Sequence, residues 1–298
     1  MAVYSGRFGC ISGCSQVTQW SVTTQLTDNA HSNSYTRAGK MRDEGVKDWN
    51  GSCTILGNSF PGSFDWNGSA GIELYTGGPT WGGNGRKLWG DAIWTSIALN
   101  GDISSGQRVQ CQVSFSGDGK LNEGTGSHTD TATPNIWLAK DCVITYGSGS
   151  GTGNTLNWKS FSFTINHEAQ ELLDSTCFEQ SSNDVWKKRY PGLIDCTGTI
   201  DWIGDLEPST LNTIDQLTIS CKGTTVLEMK YARYMGMGSY TVDPSSGALI
   251  GGSSSFNMCA HSDPDNSGNV AMGSLTVLGI SLFPPSSGST TNTPPGNG

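Results

Sequence analysis

Val109-Gln110-Cys111-Gln112-Val113-Ser114-Phe115-Ser116 alternates apolar and polar residues without a break. Successive side chains of a strand point to opposite faces, so Val109, Cys111, Val113 and Phe115 share one face. A half-buried antiparallel strand is the structure this pattern predicts. The same period returns in Phe161, Phe163 and Ile165, and again in Leu217, Ile219 and Cys221; Leu275 to Leu282 reads as a further strand. Helical spacing is scarce. One stretch runs from Asn166, which has the chemistry of an N-cap, through Glu168, Ala169, Leu172 and Leu173 to about Cys177. A second, Ser182 to Tyr190, is stopped by Pro191-Gly192. The predicted fold class is therefore all-β with few short helices.

Around these strands the composition is that of turns and solvent-facing strand positions. Only 14% of the 298 residues are charged, 35% are hydrophobic, and Gly alone contributes 41. Ten Trp, eight Tyr and nine Phe offer enough apolar area for a folded chain and argue against disorder. The net charge of −9 is uneven: ten basic and twelve acidic residues precede Gly151, and seven and fourteen follow. The longest cationic run is Lys187-Lys188-Arg189, too short for the several aligned cations that a grip on DNA requires. An acidic wall past which DNA slides is compatible with that balance. No segment approaches the roughly 18 apolar residues that span a bilayer, and the first residues lack an apolar core of signal-peptide length. The expectation is a protein without a membrane, made inside the cell. The odd, scattered set of nine cysteines (Cys10, Cys14, Cys53, Cys111, Cys142, Cys177, Cys196, Cys221 and Cys259) then predicts buried thiols, and the sequons at Asn50 and Asn67 read as turns.

Two breaks divide the chain. Gly147-Ser148-Gly149-Ser150-Gly151-Thr152-Gly153 has linker composition, and Pro284 to Gly298 has too little apolar content to form a core. The predicted division is 1–150 and 151–283, two related β-domains, with 284–298 an arm or tail. The relation rests on a repeat. Gly45-Val46-Lys47-Asp48-Trp49-Asn50-Gly51-Ser52 and Gly192-Leu193-Ile194-Asp195-Cys196-Thr197-Gly198-Thr199 share Gly-x-x-Asp-x-x-Gly-Ser/Thr. Phe64-Asp65-Trp66-Asn67-Gly68 matches Ile200-Asp201-Trp202-Ile203-Gly204, and Asp102 to Gly106 matches Asp243 to Gly247. Trp20 with Val22 parallels Trp158 with Phe161 and Phe163 if about nine residues are inserted.

Motifs that carry chemistry are few. Asp263-Pro264-Asp265-Asn266-Ser267-Gly268 fits the first half of a Ca²⁺ loop, but its twelfth position is Ser274 where a bidentate Glu belongs. Cys10 and Cys14 lack a second Cys/His pair at zinc spacing. His31, His128, His167 and His261 are dispersed, and Asp43-Glu44 reads as solvated charge on a turn. No nucleophile elbow, dinucleotide loop or phosphate loop occurs, so no catalytic, cofactor or metal residue is assigned and no enzyme is predicted. Trp49, Trp66, Trp81, Trp89 and Trp94 sit among glycines and asparagines as on a sugar-binding face, although Trp also supplies core and interface area in a chain poor in aliphatics.

Three features together resemble one family. They are the Trp-led segments Gln19-Trp20-Ser21-Val22 and Asn157-Trp158-Lys159-Ser160, the Gly-x-x-Asp-x-x-Gly-Ser/Thr frame, and the Ser-Phe-x-Gly-x-Gly ending of Val113-Ser114-Phe115-Ser116-Gly117-Asp118-Gly119. In these the chain resembles phage tail tube proteins, whose superfamily includes type VI secretion tubes. The resemblance implies antiparallel β-sandwich domains with a flanking helix, joined to neighbours in one barrel round a channel. It implies a structural virion protein of the tail, assembled in the host cytoplasm into stacked rings through which DNA passes without specific binding. Its partners would be itself and other tail proteins. Two domains per chain make a trimer the counterpart of the family's hexamer. The second half departs from the pattern, with Ser255-Phe256-Asn257-Met258-Cys259 in place of the glycine ending. A capsid decoration or fibre protein and a carbohydrate-binding module are the alternatives.

Overall fold

The computed structural model of the chain describes residues 10–12, 14, 17–31, 41–56, 69–76, 85–104, 106–126, 137–147, 154–171, 178–181, 184–204, 214–242, 250–259, 261–262, 270–271, 275–278 and 280–281. These are almost wholly β-strand. In chain order come β1 (Cys10–Ile11), β2 (Val17–His31), β3 (Met41–Leu56), β4 (Ala70–Tyr75), β5 (Gly85–Asp102), β6 (Gln110–Gly117) and β7 (Asn122–Gly126). There follow β8 (Cys142–Gly147), β9 (Asn154–Leu156), β10 (Trp158–Glu171), β11 (Phe178–Ser181), β12 (Asp184–Lys187) and β13 (Arg189–Ile203). The last are β14 (Ile214–Cys221), β15 (Thr224–Thr241), β16 (Gly251–Met258), β17 (His261–Ser262), β18 (Val270–Ala271), β19 (Leu275–Val277) and β20 (Ile280–Ser281). Eighteen of them form one hydrogen-bonded sheet, and β17 with β18 makes a separate ribbon. The pairings are antiparallel except for a single parallel contact of β12 with β3.

The alternating stretch becomes β6 with Val109 just before it, and Val109, Cys111, Val113 and Phe115 are all buried. Phe161, Phe163 and Ile165 on β10, and Leu217, Ile219 and Cys221 on β14, are buried too. They join one hydrophobic cluster that runs through both halves of the chain.

The expected helices are strands. From Asn166 the chain continues as β10, because Asn166 pairs with Ser96 on one side and Asp195 on the other. Ladder bonds on two edges outweigh a weak local helix preference. Leu172 to Cys177 lie outside the described residues. In the second stretch β12 and the start of β13 replace a helix, and Pro191 lies inside β13. Pro191 sits opposite Ala169, beside the irregularity between His167 and Ala169, where the missing donor is tolerated. Among the described residues the one helical element is a 3₁₀ turn at Ala139–Asp141. The expected strand from Leu275 is a tight hairpin, with Thr276 opposite Ser281 and Val277 opposite Ile280. Leu278 turns the chain at a φ of 51°. Asp43 and Glu44 lie on β3 opposite Asn29 and Asp28, not on a turn.

The pairings repeat. In the first half β2 pairs with β3, β3 with β6, β6 with β5, β5 with β4 and β7, and β4 with β1. In the second half β10 pairs with β13, β13 with β16, β16 with β15, β15 with β14 and β19, and β14 with β8. Register makes the correspondence residue by residue. Gly51 faces Val22 and Phe115, and Gly198 faces Phe163 and Phe256. A Cβ on Gly51 would strike the Phe115 ring, and one on Gly198 the Phe163 ring. Each repeat thus needs glycine where an aromatic ring crosses the strand. Trp94 packs edge-on to Phe115 at 5.8 Å, and Tyr234 lies 5.4 Å from Phe256 in the same place.

The register corrects one sequence alignment and keeps another. Trp20 faces Cys53, and the residue in its place in the second half is Phe161, facing Ile200. Trp158, facing Trp202, stands where Val17 faces Ile55. The ending Ser255-Phe256-Asn257-Met258 takes the register of Ser114-Phe115-Ser116-Gly117. Glycine is dispensable there for a steric reason. Trp49 lies against Gly117, whose Cβ would strike the indole; in the second half, one step beyond the Thr197–Asn257 pair, the corresponding positions are Cys196 and Met258. Large with small in one half becomes small with large in the other, which keeps the packed volume similar.

The second copy of the scheme opens with β8, which precedes the glycine run. Tyr146 pairs with Asn154 and Ile144 with Leu156, so β8 and β9, on either side of that run, are partners. Residues 148–153, the tail 284–298, the segment Phe64 to Gly68 and the segment Asp243 to Gly247 lie outside the described residues.

Candidate functional site: the joint between the halves

The halves meet along a seam of backbone hydrogen bonds. β5 and β10 pair antiparallel from Asp102 opposite Ser160 to Ser96 opposite Asn166. Below this seam, the Gly117-Asp118-Gly119 segment after β6 meets the start of β13. Arg189 donates two parallel hydrogen bonds to Asp48, Nη1 to Oδ1 at 2.7 Å and Nη2 to Oδ2 at 2.6 Å. Nη1 also donates to the Gly117 carbonyl at 2.7 Å, and Nη2 to Glu171 at 3.2 Å. The Arg189 backbone N–H donates to Asp118 Oδ1 at 2.9 Å. Gly119 donates its N–H to the Lys187 carbonyl at 2.7 Å and accepts from Trp49 Nε1 at 3.0 Å. Lys187 Nζ completes the cluster, 3.0 Å from Glu171 and 3.7 Å from Asp48. Trp186 is buried beside it, with Lys47 Nζ 6.0 Å from its ring centre.

Arg189 is only 8% exposed, so its charge is stable there only because it is paired. Burial pushes the Asp48 carboxyl upward, but the hydrogen bonds and charge of Arg189 outweigh it and hold Asp48 below the ordinary value. Lys187 holds Glu171 low in the same way, helped by Arg189 against partial burial. Burial opposes the charge on Arg189, yet Asp48 and Glu171 raise its pKa above the usual value. The cluster is an ionised, hydrogen-bonded clamp.

Asp48 and Gly117-Asp118-Gly119 are residues that the repeat and the glycine ending single out in the sequence; the structure joins them through Arg189, Lys187 and Glu171. In the sequence Lys187-Lys188-Arg189 stands out only as a cationic run. The usable signal was the frame extended upstream, since Lys-x-Arg precedes the glycine in both Lys40-Met41-Arg42-Asp43-Glu44-Gly45 and Lys187-Lys188-Arg189-Tyr190-Pro191-Gly192.

The other singled-out residues are not gathered. His167 is buried on β10, where burial lowers its pKa against a backbone hydrogen bond at Trp94. His31 and His261 end β2 and open β17, and His128 lies outside the described residues. Asp263 to Gly268 also lies outside them, and among the described residues no three His, Cys, Asp or Glu side chains cluster to hold a metal. Cys14, Cys53, Cys111, Cys142, Cys196 and Cys221 are buried thiols, and burial pushes Cys53 up to about 12. Trp49 and Trp94 are core residues, and Trp66 and Trp81 lie outside the described residues. Trp89 borders an open polar cleft of about 550 Å³ with Glu73, Asp91, Lys120 and Asn122. Among the described residues no helix is long and apolar enough to cross a membrane. No protein-family model matches the chain, and neither does any curated protein.

Proposed function

We propose that the chain is a structural virion protein, a tail tube subunit that closes into rings stacked around a DNA-conducting channel. The observation that carries this reading is the joint: one sheet passes from half to half through backbone pairing, locked by a buried ion-pair clamp. Barrel walls built from several domains need joints of this kind, because closure removes exposed strand edges. Three chains would supply six repeats to a ring. The net charge of −9 suits a conduit, since an anionic polymer must pass without adhering. Its partners are further copies of itself and the tail proteins that end the tube.

Cryo-electron microscopy of the purified chain tests this. Stacked rings of three chains with an acidic lumen are expected; a basic lumen, or monomers at all concentrations, would overturn it. The Trp89 cleft favours a second reading, a carbohydrate-binding module. Monomers that bind glycans and lose them on Trp89→Ala would establish that one instead.

A further inference from the structure

The joint is used once inside the chain, and each of its two surfaces occurs a second time. The counterpart of β10 is β2, and that of β5 is β15. Among the described pairings β2 is bonded along one edge only, to β3. On β15, Gly236 to Thr241 is bonded only to β16, whereas the equivalent part of β5 is bonded to β6 and also to β10. Both edges, unbonded among the described pairings, lack the usual protection. Val17 to Thr27 and Tyr234 to Val242 contain no charged residue and no proline. Leu26, Met235 and Val242 are 52%, 54% and 51% exposed. Two long uncharged edges belonging to the two sides of a joint that the molecule already makes call for a second copy of this chain.

We infer that copies join head to tail, the β2 edge of one extending the sheet at the β15 edge of the next. This rests on the ring reading above for its closure, and on the repeat for its geometry. The internal register transfers with one allowance: β15 has a second irregularity, between Met237 and Ser239, that β5 lacks, so β15 carries one more residue between the matched positions. A bulge sits between Trp94 and Ser96 on β5 and between Tyr234 and Gly236 on β15, so the strands correspond through the bend. Asn166 opposite Ser96 becomes Gln25 opposite Gly236, Phe163 opposite Leu99 becomes Val22 opposite Tyr240, and Phe161 opposite Gly101 becomes Trp20 opposite Val242.

The central Arg–Asp pair of the clamp has its counterpart too, whereas Ala30 and Cys259 stand where Glu171 and Asp118 do. Arg42 occupies in β3, opposite Ala30, the place that Arg189 holds in β13 opposite Glu171. Asp195 occupies the place of Asp48, but it is exposed, and no described cation lies against it. The backbone beyond β16 follows that beyond β6: Cys259 donates to the Tyr231 carbonyl as Asp118 donates to that of Asp91. In the transferred register the position of Arg42 in one copy falls beside that of Asp195 in the next, as the position of Arg189 falls beside that of Asp48. The contact is heterologous, so every copy has one edge to give and one to receive, and only a closed ring satisfies all of them.

Sedimentation of the full chain over a concentration series tests the ion pair. Arg42→Glu and Asp195→Arg should each raise the concentration of half-assembly at least about tenfold, and the double variant should recover most of the loss. Amide hydrogen exchange of the unmodified chain tests the edges without any variant. Peptides covering 20–25 and 236–242 should slow on assembly, with the rest of the sheet unchanged. Rings that form while those peptides exchange freely, or that ignore both charge reversals, would overturn this inference and leave the ring reading standing. Joining at these edges into open filaments without a channel would uphold the inference and sink the ring reading. A chain that stays monomeric would sink both.

Discussion

β2 and β10 hold the same place in the repeated scheme, yet their surroundings differ completely. β10 is flanked by β13 and β5, and its inward residues Phe161, Phe163, Ile165 and His167 are buried. Among the described pairings β2 is bonded to β3 alone, and at the matching positions it carries Trp20, Val22, Thr24 and Leu26, half-buried or exposed. The difference teaches that one pairing scheme supplies both an interior strand and an edge, and that a neighbour decides which. It also separates two carboxylates of one motif: Asp48 is clamped within the chain, and Asp195 is open to solvent.

The largest effect should come from the clamp. Asp48→Ala strands the buried Arg189 charge and should cost about 3–5 kcal/mol in a denaturant titration, because one partner of a buried pair is lost. Asp195→Ala, measured in dilute unassembled protein, should stay within about 0.5 kcal/mol. Equal costs would end the distinction between the two positions.

Next is the exchanged packing at the strand ends. Gly117→Met alone should overfill the Trp49 site and cost about 1–3 kcal/mol. Added to Trp49→Cys, which imitates the Cys196 and Met258 arrangement, it should restore stability, with a coupling of about 0.5–3 kcal/mol. Strict additivity would show that the two ends are not equivalent.

A smaller effect concerns acid. Asp48 and Glu171 have lowered pKa values in the folded chain, so the unfolded chain binds more protons near the ordinary carboxylate value of about 4. Their stabilisation is present above that pH and is lost as pH falls through it and below. Asp48→Asn should flatten this limb in thermal melts across pH.

The smallest is His167, whose pKa burial lowers. Below about pH 6.5 the unfolded chain takes up a proton that the folded chain resists, so stability falls on acidification. His167→Leu should remove that mild slope. The matching substitution Leu26→His, at an exposed position, should not create one.

Much of this was legible along the chain. The alternation at Val109 to Phe115 is a local property and names both the strand and its buried face. The Gly-x-x-Asp-x-x-Gly frame marked the repeat, since glycine is required wherever an aromatic ring crosses the strand. The stretch from Asn166 misled because its local chemistry suits a helix cap, while the bonds that make it a strand come from Ser96 and Asp195, distant in sequence. The Trp20 and Trp158 match misled because residue identity is a poorer guide to register than which residue faces which. Arg189 was invisible as a clamp because a single cation is ordinary until its carboxylate is known.

By itself, then, the sequence determined an all-β chain, its inward faces and the presence of a repeated frame, all of which follow from periodicity and local sterics. Tertiary structure alone decided which strands pair, that β8 takes the place of β1 in the second pairing scheme, that Arg189 closes on Asp48, and that, among the described pairings, β2 and the end of β15 are bonded along one edge. Pairing joins residues far apart in the chain, and nothing local in a strand says whether a neighbour will cover it.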